Sequence, residues 1–224
     1  MQPGYVSVIK EEVLEKVVCA LRRGELVCFP TETVYALACS ALCESAVHRL
    51  YEVKQREPEK PFSIMLSDAK QIREFADVRN CDMEIVNVLS PGPVTFILPI
   101  SSTQNLPRGF FKDTLGVRIP DHALAREVLK RFEYPVVATS ANLSGMHSAA
   151  RASDVPHEIR KSVAEFLEDD SSVNGVCSTV FEVASRKILR NGMLTKQKIL
   201  NAIGIAEKQY GLDSGACLTK ESSS

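Results

Sequence analysis

Short apolar runs of strand length alternate with segments of helical periodicity along most of this chain, and that alternation restricts its fold more than any other feature. Residues 26–29, 63–66, 94–98, 117–119, 136–139, 179–183 and 187–190 read as strands. Between them, 11–23, 44–53, 68–76, 82–89, 123–132, 156–167 and 195–210 read as helices. In the first helix Val13, Leu14, Val17, Val18 and Leu21 recur at helical spacing, and Gly24 supplies the stop. No internal repeat and no linker interrupts the series. The pattern predicts an α/β protein with a mixed sheet, one domain spanning 1–210. The stretch 211–224 opens with a helix-stopping glycine, is mostly polar and ends in three serines, which predicts a flexible tail.

Composition excludes several classes. Of the 224 residues, 45% are apolar and 25% charged, the balance of a folded globular chain and not of a disordered one. The net charge of −1 means that any affinity for polyanions must come from local clustering of cations. The longest apolar run, 94–100, contains Pro99 and is far short of the roughly 18 residues of a membrane span, so no membrane partner is expected. The first ten residues lack the basic-then-apolar pattern of a secretory signal. Seven cysteines, an odd number without a CxxC pair, fit reduced thiols in the cytoplasm. Cys39 and Cys43 with a distant histidine would be the one zinc arrangement, but no second pair follows at ligand spacing. Zinc, haem and flavin are not expected, and no metal ligand is assigned to the protein.

Three polar segments stand out, two of them directly after strands, where α/β sheets bind ligands. In 29–35, Thr31, Glu32 and Thr33 leave the first strand; they fit either a capped turn or a ligand contact. In 54–61, Lys54, Arg56 and Lys60 fall in a proline-punctuated loop after a helix. They fit either complements to the helix dipole or a phosphate clamp. In 136–145 a wholly apolar strand empties into Thr139, Ser140, Asn142, Ser144 and Gly145, either an ordinary strand-to-helix turn or an anion cradle. Neither GxxxxGK[ST] nor GxGxxG occurs. Arg118 and Arg190 stand in short apolar strands, where a guanidinium needs an anion, supplied by an internal acid or by a ligand.

In order, the segments PTETVY, KQR, PGPVTFIL, VRIP, TSANLSG, STVFEV and ILRNG resemble the pattern of YrdC-like threonylcarbamoyl-AMP synthases, from about Gly24 to Gly192. The resemblance implies a twisted mixed sheet with flanking helices around a positively lined concave cavity. It implies the short, single-domain form. The implied activity is a nucleotidyltransferase that condenses L-threonine, bicarbonate and ATP into threonylcarbamoyl-AMP and pyrophosphate, for threonylcarbamoyladenosine modification of tRNA.

Carried over by position, the resemblance implies Lys54 and Arg56 as catalytic and phosphate-binding residues. Lys60, Ser140, Asn142, Ser148 and Arg190 would join them around ATP, and Thr31, Thr33, Arg118 and Ser178 would hold L-threonine. Mg²⁺ would accompany ATP. Implied partners are the downstream threonylcarbamoyl-transferase proteins, with tRNA or double-stranded RNA as a further candidate. The chain departs from the family pattern at Ala36 and Ala38, where glycines are common, and at Lys60 and Met65, where some members have Asn and His. The competing reading is an RNA-binding module of the same fold without catalysis; 6% aromatic residues and no tryptophan give it little stacking capacity.

Overall fold

Side-chain alternation along each strand decides how this sheet is covered. The computed structural model describes residues 3–57, 60–107 and 109–211. Its elements are α1 (Pro3–Arg22), β1 (Val27–Phe29), β2 (Ala36–Ser40), α2 (Glu44–Lys54), β3 (Ser63–Met65), α3 (Ile72–Phe75) and α4 (Asn80–Leu89), then β4 (Val94–Pro99), β5 (Thr114–Arg118), α5 (Ala123–Phe132) and β6 (Val136–Ser140). The chain continues through α6 (His157–Ser162), β7 (Glu165–Phe166), β8 (Thr179–Glu182), β9 (Lys187–Arg190) and α7 (Lys196–Tyr210). The nine strands form one mixed sheet in the order β7-β1-β2-β6-β3-β5-β4-β8-β9.

On one face, Cys28, Leu37, Cys39, Ile64, Val137, Val117, Phe96, Leu98 and Phe181 join a single buried cluster with residues of α2, α4 and α7. That face is covered along its whole width. On the other face, Val27, Phe29, Ala36, Ala38, Val136 and Ala138 pack beneath α1 and α5. Those two helices cover one end only. The remaining strands leave Ser63, Thr95, Ile97, Arg118 and Val180 facing a hollow, each in alternation with a core residue. The concavity is therefore the part of the sheet that no helix covers.

Several boundaries differ from the sequence reading for identifiable reasons. β2 was not expected, because Ala36-Leu37-Ala38-Cys39-Ser40 has small residues of weak strand propensity; pairing on both sides, with β1 and β6, makes it a strand. The expected helix 156–167 stops at Ser162, and Glu165–Phe166 instead adds β7 to the sheet edge beside β1. The helix expected over 68–76 is a 3₁₀ turn, Ala69–Gln71, followed by α3; Asp68 caps it through the Lys70 amide. α5 agrees with its expected limits, and α7 is capped by Thr195 and closed by Gly211 in the left-handed conformation. The expected tail lies outside the described residues beyond Gly211. No described helix is long and apolar enough to cross a membrane.

Candidate active site

Two adjoining hollows open on the uncovered face. The larger, of about 290 Å³, is lined by Thr31, Thr33, Tyr35, Arg56, Met65, Thr95, Arg118, Ser140, Cys177, Ser178 and Arg190, with apolar walls from neighbours such as Phe62 and Ile97. The smaller, of about 220 Å³, is lined by Lys54, Gln55, Arg56, Glu57, Lys60, Ser140, Asn142, Ser144 and Gly145. Arg56 and Ser140 line both, so the two hollows adjoin at these residues.

The turn after β1 is built by its own hydroxyls. Thr31, fully buried, donates from Oγ1 to the Val34 carbonyl at 2.7 Å, and the same oxygen stands 3.3 Å from the Thr33 and Val34 amides. The capped turn is thus realised, and Thr31 and Thr33 also stand in the cavity wall. Thr33 Oγ1 lies 2.9 Å from Thr31 Oγ1 and accepts from Arg118 Nη2 at 2.9 Å. Arg118 Nη2 also stands 2.8 Å from Glu32 Oε1, both side chains being buried. The internal acid weighed for Arg118 is therefore present.

On the opposite side of the larger hollow, Ser178 Oγ lies 2.9 Å from Thr95 Oγ1. Arg190 lies across this strand, donating from Nη2 to the Ser178 carbonyl at 2.9 Å and to Ser178 Oγ at 3.2 Å. Gly192 is what lets β9 lie so close. A Cβ there would fall 2.5 Å from the Ser178 carbonyl carbon and the Thr179 nitrogen, and would also meet the Cys177 oxygen.

Lys54 and Arg56 differ in what they do. Lys54 is buried, and its ammonium donates to the Ser140 carbonyl at 2.7 Å, to Asn142 Oδ1 at 3.2 Å and to the Asn142 carbonyl. All three N–H bonds thus have protein acceptors, which tie the end of α2 to the exit of β6. Burial, with the nearby Arg56 charge, lowers the Lys54 pKa to about 8. Gln55, left-handed at φ 49°, ends the helix. Arg56 then donates to the Lys60 and Pro61 carbonyls at 2.9 and 3.0 Å, and its guanidinium sits 4.8 Å from the Phe62 ring centre. Burial and the charge of Arg190 both lower the Arg56 pKa. The two arginines therefore sense each other across the hollow.

The remaining expected residues fall in two groups. Asn142 and Lys60 line the smaller hollow, but the Asn142 amide donates to the Leu143 and Met146 carbonyls, and the Lys60 ammonium holds Glu57 at 2.7 Å. Ser148 is not among the residues lining either hollow; its hydroxyl stands 3.3 Å from Cys177 Sγ, which does line the larger one. Thr95, Tyr35 and Cys177 were not singled out from sequence. Thr95 had a usable signal, a lone hydroxyl between Val94 and Phe96 in alternation. Ser144, one of the polar residues read in 136–145, lines the smaller hollow and donates from Oγ to the Lys54 carbonyl at 2.8 Å. Among the described residues no group of three or more His, Cys, Asp or Glu gathers as a metal site.

Against this geometry, the family model Sua5_yciO_yrdC, described as "Telomere recombination", matches residues 19–192. The chain belongs to the Sua5/YciO/YrdC family. The match spans every segment that lines the two hollows. Among curated members of the family, the threonylcarbamoyl-AMP synthase of Bacillus subtilis is 34% identical over 198 residues, 86% of this chain and 57% of that protein. The threonylcarbamoyl-AMP synthase of Vibrio vulnificus is 29% identical over 182 residues, 80% of this chain and 98% of that protein. The chain thus spans a little over half of one Sua5/YciO/YrdC relative and nearly all of the other. The crystal structure of P. abyssi Sua5 complexed with L-threonine superposes with a TM-score of 0.80 at 32% identity, covering 87% of this chain and 58% of that one.

Proposed function

We propose that this chain is a threonylcarbamoyl-AMP synthase, condensing L-threonine, bicarbonate and ATP and releasing pyrophosphate. The observation that carries the reading is convergence: hydroxyls and guanidinia from the ends of β1, β5, β8 and β9 and from the loop after α2 line the larger hollow, and a second hollow adjoins it at Arg56 and Ser140. The relatives' shared name and the threonine-bound P. abyssi structure support the substrate. They favour an enzyme over an RNA-binding module without catalysis.

The chemistry asks for little from side chains beyond charge and position. The threonine amine takes up bicarbonate with loss of water, giving a carbamate. A carbamate oxygen attacks the α-phosphorus of ATP, and the bond to pyrophosphate breaks. Bicarbonate, the nucleotide's phosphates and the carboxylate of threonine must meet, so repulsion and the entropy of assembly dominate the barrier. Arg118 and Thr33, with Ser178 and Thr95 opposite, form the amino-acid end, Arg118 facing the carboxylate. Arg56 and Arg190, with Lys60, Ser140 and Ser144, form the nucleotide end, where guanidinium forks suit phosphate oxygens. Lys54 and Asn142 serve that end by holding its loop. No base is required of the protein once the carbamate has formed, because the substrate carries its own nucleophile. Among the described residues lining the hollows Glu57 is the one carboxylate, and Lys60 holds it. Mg²⁺ would enter with ATP, and no described carboxylate of the hollows is free to hold it; when bound it would supply charge neutralisation to the phosphates. The product would feed threonylcarbamoyladenosine formation on tRNA in the cytoplasm, through a separate transferase.

The test is pyrophosphate release from the full chain with ATP, bicarbonate and one amino acid at a time. Release that requires both L-threonine and bicarbonate is the expected result. Release that is independent of amino acid, or absent with all of them, overturns the reading.

A further inference from the structure

The cations of the concavity are not electrically equivalent. Among the described residues, Arg56 and Arg190 are held by carbonyl and hydroxyl oxygens, and no described acid pairs with either. Arg118 differs. Glu32 Oε1 stands 2.8 Å from its Nη2, with side-chain exposures of 9% and 7%. Glu32 itself is absent from the cavity lining, so the guanidinium forms the wall and the carboxylate sits behind it. Among the described residues neither Glu32 oxygen accepts a hydrogen bond and Arg118 Nε has no acceptor, so Glu32 and Arg118 meet as an ion pair. No second donor draws on the carboxylate, which leaves its charge directed at Arg118 in surroundings that screen little.

We propose that Glu32 is a charge-setting residue that acts through Arg118, making the Arg118–Thr33 side of the larger hollow electrically neutral while the side formed by Arg56 and by Arg190, which rests on Ser178, stays cationic. A neutral end offers a net-neutral amino acid a guanidinium fork for its carboxylate, but gives phosphate no net attraction. The nucleotide's polyphosphate is thereby confined to the cationic end. The proposal rests on the synthase reading for the identity of the amino acid, though not for the charge division itself. It also accounts for an acid buried in a site whose ligands are anions, where an unpaired cation would otherwise draw triphosphate into the place of threonine.

The experiment measures the calorimetric Kd of L-threonine for the full chain with and without saturating inorganic pyrophosphate, in wild type, Glu32→Asp and Glu32→Gln. In wild type the Kd stays within twofold. In Glu32→Gln, which keeps the shape and removes the charge, pyrophosphate raises it at least tenfold. Glu32→Asp, with its carboxylate drawn back from Arg118, falls between. A purely structural role for Glu32 would weaken threonine binding without making pyrophosphate a competitor. Absence of competition in Glu32→Gln overturns the proposal. Should that variant fail to fold, absence of competition in Glu32→Asp overturns it equally. Should wild type bind no L-threonine, the synthase reading fails by itself. Pyrophosphate stoichiometry then decides: a second pyrophosphate per chain in Glu32→Gln alone supports the division of charge, and equal stoichiometry overturns it.

Discussion

Lys54 Nζ stands 2.7 Å from the backbone oxygen of Ser140, joining the last turn of α2 to the exit of β6 across 86 positions of sequence. The contact makes the KQR and TSANLSG segments one mechanical unit. Arg56 inherits its place from that unit, because a single left-handed residue, Gln55, separates it from the anchored lysine.

The Lys54 pKa of about 8 gives this unit a pH dependence. Below that value the lysine is a cation beneath the smaller hollow; above it the charge is lost, so ATP binding weakens as pH rises from 7 to 9. Lys54→Met removes both the charge and the anchor, and its ATP affinity is weak and flat over the same range. Stability moves the other way. The ordinary value of 10.5, which the unfolded chain keeps, exceeds the folded one, so the unfolded state holds the proton more tightly between about pH 8 and 10.5. The contribution of Lys54 to stability therefore rises with pH through that window. Denaturant titrations of wild type and Lys54→Met at pH 7.5 and 9.5 check the sign, and ATP titrations check the affinity.

Arg56→Ala and Arg190→Ala each lower the rate of pyrophosphate release by roughly thirty- to a thousand-fold, the equivalent of about 2–4 kcal/mol of transition-state stabilisation. Their present partners are carbonyl and hydroxyl oxygens near the surface, so each variant loses under about 1 kcal/mol of stability. Turnover near wild type in both, measured beside matched melting curves, would remove them from the nucleotide site.

Gly192→Ala tests the packing of β9 on the strand that carries Ser178. Its Cβ would strike the backbone at Ser178 and Thr179, where no rotamer change gives relief. Overpacking of this kind costs about 1–3 kcal/mol. The expected outcome is a lowered melting temperature together with loss of amino-acid-dependent turnover, because displacement of 177–179 also moves Cys177 and Ser178 in the cavity wall. A variant that melts and turns over as wild type contradicts the close approach.

Thr95→Val exchanges a hydroxyl for a methyl of similar size and leaves Ser178 Oγ without its 2.9 Å partner. Losing one buried hydrogen-bond partner costs about 1–3 kcal/mol. If Thr95 orients Ser178 toward the amino acid, KM for L-threonine rises about tenfold while KM for ATP stays within twofold. Equal changes in both constants would place Thr95 outside the amino-acid end.

Much of the fold was legible because it depends on local rules. Apolar periodicity located α1, α2, α4, α5 and α7, and Thr195 and Gly211 marked the ends of the last helix. Strand β2 was not legible, since alanine, cysteine and serine hold no strand preference until β1 and β6 pair on either side. Nor was the end of α6, where adding β7 to the sheet edge outweighs helical spacing. In the site, seven ordered segments pointed to the residues but not to their partners. Lys54 reads as a phosphate ligand in sequence, whereas in the fold its three donors face protein oxygens.

The chain alone determined which kinds of side chain stand at the strand ends, because strand periodicity and the order of the motifs are local properties of neighbouring residues. Which charges remain available to a ligand was decided only in three dimensions. Glu32 and Arg118 are 86 positions apart, as are Lys54 and Ser140, and only the tertiary fold brings the turn after β1 against the end of β5, and the end of α2 against the end of β6. Charge compensation falls off with distance in space and not along the chain, so a sequence that names its cations does not say which of them its own acids have already met.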